Sequence, residues 1–425
     1  MYALVDCNNF YVSCERVFNA QLWDKPVVVL SNNDGCIISR SQEAKALGIK
    51  MGEPYFQRRR WLREQGVHVF SSNYTLYGDM SGRVMKILAD FTPHLEIYSI
   101  DEAFLDLSGF GVACDWVAYA HTIQQRVKQW LGLPVCVGIG PTKTLAKAAN
   151  FLAKKDRRQT GGVWVLDTPR KRQEGLTNMP VQDVWGIGRQ HAARLEQAGI
   201  DTAWALAQKD EGWARRQLGG VVGVRLLREL QGKVCLWQEL PQRKQSIACT
   251  RSFGKPVTSL EHLQEAVATY ATRAAEKLRR QQSAARAITV FAHTNRHAPV
   301  EQYFKTKIIE LPVASDSTLE LVQLAVKAVQ SLYREDILYG KAGVILTDLV
   351  PREAVQADLF STPAVLAHKG LMQALDTLNN LWGANTVTVA ATGWHKEKRQ
   401  GWQMLQQMQS NRYTTHWEEL LIVGC

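Results

Sequence analysis

The chain has 425 residues, 46% of them hydrophobic and 21% charged, enough for roughly three globular domains at about 150 residues each. Lys and Arg outnumber Asp and Glu by 51 to 40, and the net charge of +11 favours nucleic acid or another anionic surface as partner. Wholesale disorder and a disulfide-stapled mini-protein are both excluded. The start, Met1-Tyr-Ala-Leu-Val-Asp6, lacks the basic opening and apolar stretch of a signal peptide. No window reaches the roughly 18 uninterrupted apolar residues of a membrane span, so no membrane role is expected. Eight cysteines lie far apart, with no CxxC pair, and read as reduced, mostly buried thiols of a cytoplasmic protein. Zinc is not expected.

Along the first 165 residues, apolar strand-like runs alternate with helical patterns, which indicates an α/β or α+β domain. Tyr2 to Asp6 and Pro26 to Leu30 read as strands. Asn32-Asn-Asp-Gly35 marks a turn before a further strand, Cys36 to Ser39. Gln42 to Leu47 is a short helix stopped by Gly48. Glu96 to Leu107 reads as a hairpin or bent strand pair, Pro134 to Ile139 as a buried strand, and Thr142 opens a helix running through Lys154. Composition shifts near Asp156-Arg-Arg-Gln-Thr-Gly-Gly162. Residues 170–235 are helical and short-segmented, and a basic connector lies around Gln242-Arg-Lys-Gln245. Residues 246–350 read as a second α/β unit with a helix from Ser259 to Gln282 and strands at Ala287 to Ala292 and Ala342 to Thr347. The last 75 residues are tail-like and carry Trp382, Trp394, Trp402 and Trp417.

Charge is uneven. Between Gln242 and Glu310 there are twelve Lys or Arg and five Asp or Glu, a net of +7. A focused patch of this kind points to phosphate binding more than the same charge spread evenly, though a solvated helix face has the same composition. Two acidic features stand out. Asp6 ends the first strand, and Asp101-Glu102 interrupts the apolar run Ile97-Tyr-Ser-Ile-Asp-Glu-Ala-Phe-Leu105. Carboxylates in apolar surroundings need a cation, so the three are either metal ligands for phosphoryl transfer or loop-edge acids paired with Lys or Arg. Gly138-Ile-Gly-Pro-Thr-Lys-Thr144 fails the Walker spacing and reads as a strand-to-helix turn with Thr142 as N-cap.

Asp6-Cys-Asn-Asn-Phe-Tyr-Val-Ser-Cys-Glu15, with Lys25-Pro-Val-Val-Val29, resembles the opening of the Y-family translesion DNA polymerases. Ser99-Ile-Asp-Glu-Ala103 resembles that family's palm motif. Asn32-Asn-Asp-Gly-Cys36, Glu43-Ala-Lys-Ala-Leu-Gly48, Ser71-Ser-Asn-Tyr74 and Arg412-Tyr-Thr-Thr415 are similar to the UmuC branch. The resemblance implies a right-hand polymerase of mixed α/β class. Palm and fingers would occupy 1–170 (fingers about 21–78), a helical thumb 171–241, a little finger 242–352, and a C-terminal tail 353–425.

The same resemblance implies roles. Asp6, Asp101 and Glu102, with the main-chain carbonyl of Cys7, would hold two Mg²⁺ ions per active site. Asn8 departs from the family, where many members carry a second Asp, and is not expected to bind metal. Phe10 and Tyr11 would lie at the incoming dNTP, with Tyr11 as a gate against the ribose 2′-OH. Ile38 would pack on the replicating pair, while Ser39, Lys45 and Lys154 would contact the triphosphate. Gln42 departs from a phosphate-contacting Tyr of another branch, and Arg40 is a substitute. Trp185-Gly186-Ile187-Gly188-Arg189 resembles a helix-hairpin-helix turn for DNA backbone, although a GxG between helices is also a plain connection. Arg251, Lys277, Arg279 and Arg280 would grip primer-template DNA. Gln356, Leu359 and Phe360 resemble a sliding-clamp motif. A processed UmuD-like dimer and RecA are the other implied partners, in the SOS damage response. A non-catalytic DNA-binding scaffold and a two-metal nuclease stay open as rivals.

Overall fold

The computed structural model describes residues 1–111, 114–237, 243–356, 368–393 and 402–421. The chain forms two compact units, Met1–Glu239 with Gln407–Cys425, and Leu240–Gln406. Among the described residues no helix is long and apolar enough to cross a membrane.

The first unit runs β1 (Tyr2–Cys7), α1 (Phe10–Phe18), β2 (Val27–Leu30), β3 (Ile37–Arg40), α2 (Gln42–Ala46), α3 (Tyr55–Glu64), β4 (His68–Ser71) and α4 (Tyr74–Ala89). It continues with β5 (Leu95–Ile97), β6 (Glu102–Asp106), α5 (Trp116–Leu131), β7 (Val135–Gly140), α6 (Lys143–Lys155) and β8 (Val163–Val165). Five strands make one sheet in the order β5-β6-β1-β7-β8, and three make a smaller one, β3-β2-β4. β1 is central, antiparallel to β6 and β7, so its six residues are all buried and read as one apolar run ending in Asp6 and Cys7. Helix α6 starts where Thr142 Oγ1 accepts the Leu145 N–H at 3.2 Å. It lies so close to β7 that a Cβ on Gly138 would come within 2.1 Å of the Asn150 nitrogen. That closeness lets one sheet edge and one helix face share a site.

Helices Pro169–Thr177, Arg189–Gln197, Ala203–Ala207, Glu211–Gln217 and Val221–Leu230 follow, packing Leu176, Leu195, Leu206 and Leu227 against Leu145 and Leu152 of α6. The second unit is a four-stranded antiparallel sheet of β9 (Ile247–Val257), β10 (Ser283–Thr294), β11 (Phe304–Ser315) and β12 (Tyr339–Pro351), ordered β11-β10-β12-β9. Helices Leu260–Arg280 and Thr318–Leu332 bury Leu263, Val267, Leu321 and Val329 with its strands. The two central strands are the ones expected, each longer at both ends. The edge strands β9 and β11 and the helix Thr318–Leu332 are not in the sequence reading. Edge strands leave one hydrogen-bonding edge unpaired, and β11 opens with the largely polar, exposed Phe304-Lys-Thr-Lys307 before its apolar residues begin at Ile308.

The tail-like reading of the C-terminus is corrected by the structure. Lys369–Trp382 is a helix with Met372 and Leu375 buried, and Trp402 enters the second unit's core, edge-on to Tyr270. From Gln407 the chain joins the first unit, where Ser71 N–H donates to the Met408 carbonyl at 2.9 Å and Met408 N–H to Ser71 Oγ at 2.9 Å. Few apolar residues are spread over many polar ones here, so composition hides anchors that are single residues. Trp394 and Cys425 lie outside the described residues.

Candidate active site

Strand ends build the site. β1 ends in Asp6 and Cys7, β6 begins at Glu102, and the register sets Asp6 opposite Glu102. The Cys7 N–H donates to the Asp101 carbonyl at 2.9 Å, so the two acidic features meet. Two lysines of α6 reach them, Lys154 Nζ at 2.5 Å from Asp6 and Lys147 Nζ at 2.9 Å from Glu102. The Asp101 carboxylate accepts the Ser99 hydroxyl at 2.6 Å. Among the described residues no three His, Cys, Asp or Glu side chains already converge as a ligand set. Both sequence readings of these acids are therefore present together: they adjoin one another and they are paired with lysine.

Burial pushes the Asp6 carboxyl up to about 7, opposed by Lys154 and helped by the hydrogen bond to Glu102. Glu102 goes the other way. Burial works against its charge, but the bonds to Asp6 and Lys147 and the charges of Lys147 and Lys154 hold it below the usual range. The two carboxyls are coupled and move apart, Asp6 up and Glu102 down. Burial and the nearby Asp6 and Asp101 push the Cys7 thiol far up, which removes it as a nucleophile.

A second cluster gathers residues expected at the nucleotide. Asn9 takes a left-handed conformation (φ 47) before α1, and its side chain accepts Lys45 Nζ at 2.7 Å. The Lys45 ammonium is pushed down by burial and then by the charges of Arg40 and Lys154, with Asp6 acting the other way, so Lys45 lies near two further cations, of which Lys154 pairs with Asp6. Arg40 is held by the Ile49 carbonyl at 2.6 Å. Ser39 Oγ is 3.5 Å from the Val12 N–H in the first turn of α1, and Ile38 is half-buried beside it on β3. Phe10 is buried. Tyr11 is half-buried, stacked on Tyr77 at 4.5 Å and edge-on to Tyr74 at 5.9 Å. Burial raises its phenol to about 12.

The DNA-side residues separate. Gly186 has φ +93, a conformation open to glycine, and Gly188 precedes the helix Arg189–Gln197, while Ile187 is buried. What comes directly before this turn is a single 3₁₀ turn, Val181–Asp183, not an α-helix. In the second unit Arg251, Lys277 and Arg280 are exposed. Arg279 departs from the expectation. It is 5% exposed, pairs with both carboxylate oxygens of Asp376 at 2.7 Å, and donates to the Asp316 carbonyl and Thr318 Oγ1. Its place on the inner face of the helix, against the C-terminal helix, turns a basic run into an internal clasp. Gln356 is exposed, and Leu359 and Phe360 lie outside the described residues.

Sequence reasoning did not find Lys147, Ser99, Asn9, Tyr74 or Tyr77. A signal existed for Lys147, because Lys143, Lys147 and Lys154 fall at i, i+4 and i+11 on one face of α6. Tyr74 closes the motif Ser71-Ser-Asn-Tyr74, but no signal existed for Tyr77, whose role depends on where α4 lies.

Residues 5–150 match the impB/mucB/samB family, and 244–359 match that family's C-terminal domain. The chain belongs to this family. It is 44% identical to Protein UmuC of Salmonella typhimurium over 426 residues, covering 100% of both chains. Protein ImpB of Salmonella typhimurium is 42% identical, over 99% of each. A more distant relative, DNA polymerase IV 2 of Mesorhizobium japonicum, is 29% identical over 83% of this chain and 82% of its own length. A solved Y-family DNA polymerase chimera, Dbh-Dpo4(243-245)-Dbh, superposes with a TM-score of 0.64 at 22% identity, over 82% of this chain and 99% of that one, which establishes the fold. Residues 369–423 match a domain of unknown function (DUF4113).

Proposed function

We propose that this site adds deoxynucleotides to a primer 3′-OH under the direction of a template, opposite damaged as well as intact bases. The chain is a DNA-directed DNA polymerase of the Y family, with the UmuC-like and polymerase IV relatives described above. The observation that carries the site reading is the joining of three carboxylates, a buried Asp6 in register with Glu102 and with Asp101 beside them, to Lys154 and Lys147 of α6, with Lys45 and Arg40 near Lys154.

The donor set fits Mg²⁺. Asp6, Asp101 and Glu102 offer only hard oxygen ligands, and a buried Asp6 adjoining the partly buried Asp101 and Glu102 forms a site suited to a divalent cation. When bound, two such ions would supply charge neutralisation for the attacking and leaving oxygens of an in-line displacement. The chain's own residues do the rest. Lys154 and Lys45 would exchange Asp6 and Asn9 for triphosphate oxygens, with Arg40 beside them. Tyr11, braced by two rings, would close the space below the sugar against a 2′-OH. Ile38 and Phe10 would shape the pocket of the nascent pair. Gly186, Gly188 and the exposed Arg251, Lys277 and Arg280 would hold primer-template DNA through its phosphates. A sliding clamp at Gln356, Leu359 and Phe360, a processed UmuD-like dimer and RecA belong to the same proposal, as does a cytoplasmic place of action.

The test is primer extension by the full chain with Mg²⁺ and these partners. Lengthened primer is expected, and Asp101→Asn should cut the rate by about 10²-fold or more, since the lost charge stabilisation is worth several kcal/mol. Shortened primer would make the protein a nuclease, and no change in wild type would leave a DNA-binding scaffold.

A further inference from the structure

Two of the family-like motifs, Ser71-Ser-Asn-Tyr74 and Arg412-Tyr-Thr-Thr415, have no part in the chemistry above, and the second lies in the domain of unknown function. In the structure the chain around them meets. Ser71 and Met408 exchange hydrogen bonds, and Asp34 ties both strands by accepting the Ser71 hydroxyl at 2.5 Å and the Gln407 N–H at 3.0 Å. Asn73 is fully buried. Its Oδ1 caps α4 by accepting the Leu76 N–H, and its Nδ2 donates to the carbonyls of Ser410 and Asn411 and to Ser410 Oγ, each at 3.1 Å. Helix α4 carries Tyr74 and Tyr77 in its first turn, the two rings against Tyr11.

The second link runs through a buried acid that the proposed mechanism does not use. Ser410 Oγ donates to Glu15 Oε1 at 2.9 Å, and the Tyr77 hydroxyl donates to the same oxygen at 2.6 Å. Glu15 is 2% exposed and sits on α1, four residues after Tyr11. Tyr413 stacks on Phe18 at the far end of the same helix, at 4.9 Å. The C-terminal segment thus touches both helices that hold the tyrosine cluster, α1 through Glu15 and Phe18, and α4 through Asn73.

We propose that residues 407–413 are a positioning element of the nucleotide site, in which Ser410, through Glu15 and Asn73, fixes the Tyr77 ring that backs Tyr11 and so sharpens discrimination between deoxyribose and ribose. This rests on the reading of Tyr11 as the sugar gate. Tyr11 has no hydrogen bond on its own hydroxyl among the described residues, so its plane is set by the rings it packs against. A ring held by stacking transmits a small tilt of its neighbour directly, whereas Asp6 and Asp101 are held by Lys154 and Ser99 rather than by the tyrosine rings, so catalysis there should be nearly untouched.

The experiment is single-nucleotide insertion by the full chain with its partners, comparing kcat/KM for a deoxynucleoside and the matching ribonucleoside triphosphate. Ser410→Ala and Tyr77→Phe should each lower discrimination about three- to ten-fold, the weight of one hydrogen bond, chiefly through a lower KM for the ribonucleotide. Deoxynucleotide kcat of Ser410→Ala should stay within about two-fold, and Ser410→Thr, which keeps the hydroxyl, should restore discrimination. Tyr77→Phe leaves the C-terminal contacts intact, so it guards against a Ser410→Ala chain that merely unfolds. Tyr11→Ala separates the two ideas. If it leaves sugar choice unchanged, the gate reading fails. If it relaxes sugar choice while Ser410→Ala and Tyr77→Phe do not, or if these two lower both substrates equally, the positioning role is overturned.

Discussion

Glu15 shows how one side chain can set a pH dependence. Burial raises its carboxyl from an ordinary 4.5 to about 7, against the hydrogen bonds from Tyr77 and Ser410 that favour the charged form. Between those values the folded chain keeps a proton that the unfolded chain has released. The stability tied to Glu15 is therefore complete below about 4.5 and is lost as pH rises through about 7, a change on the order of 3 kcal/mol. Asp6 adds a slope of the same sign, raised from 3.8 to about 7, so wild type should weaken across the window on two accounts. Glu15→Gln keeps an acceptor oxygen and removes one of them. Urea unfolding of both proteins at pH about 5 and about 8 should show the variant losing less stability than wild type. Equal losses would mean that Glu15 does not hold its proton. In sequence, this acid is one letter in a helix opening, with nothing to distinguish it from a surface glutamate.

At the scale of elements, the site depends on how closely α6 lies on the sheet. Gly138 on β7 is where the two backbones touch, and a methyl there would meet the Asn150 nitrogen at 2.1 Å and the Ala146 carbonyl oxygen at 2.4 Å. Neither neighbour is a flexible side-chain end, so the helix itself must move. Gly138→Ala should destabilise the first unit by about 3 kcal/mol or more, and it should also draw Lys147 and Lys154 away from Glu102 and Asp6. The check is a lowered unfolding midpoint together with weaker triphosphate binding in the soluble fraction. An unshifted midpoint would mean the contact relaxes freely. Element positions were largely legible in the sequence here, because β1, β7 and α6 carry strong periodic patterns and a clear Thr142 cap. The edge strands β9 and β11 were not legible, since their apolar residues are broken up by charged and polar ones and leave only a faint alternation.

For the whole molecule, the net charge of +11 is not a uniform grip. Of the basic run closing the helix Leu260–Arg280, Lys277 and Arg280 are exposed, while Arg279 is clasped to Asp376. Charge counted along the chain treats the three alike. Exposed contacts to phosphate each contribute about one to the slope of log affinity against log salt. Replacing Lys277 and Arg280 together with Ala should lower that slope by about two for primer-template DNA. Arg279→Ala should leave the slope unchanged and instead destabilise the second unit by up to about 3 kcal/mol, less than a fully buried pair because Asp376 keeps partial exposure. Binding titrations at several salt concentrations, with unfolding curves for the same proteins, decide between the two roles. A reduced slope for Arg279→Ala would return it to the DNA-facing set.

The sequence by itself determined the scaffold class and singled out three acids, whose role as metal ligands is what the family resemblance implies. Asp6, Asp101 and Glu102 stand out because acids at the ends of apolar strands are costly without a cation, and strand and helix periods mark most of the elements that carry them. The tertiary structure alone decided which of the other polar residues belong to the site. Ser410 meets Glu15 across 395 positions, Arg279 turns inward, and Tyr77 comes to lie under Tyr11. Apolar burial repeats with the period of its element and so can be read in one dimension. A hydrogen bond between distant polar side chains repeats with nothing, and it exists only once the elements that bear it have been packed.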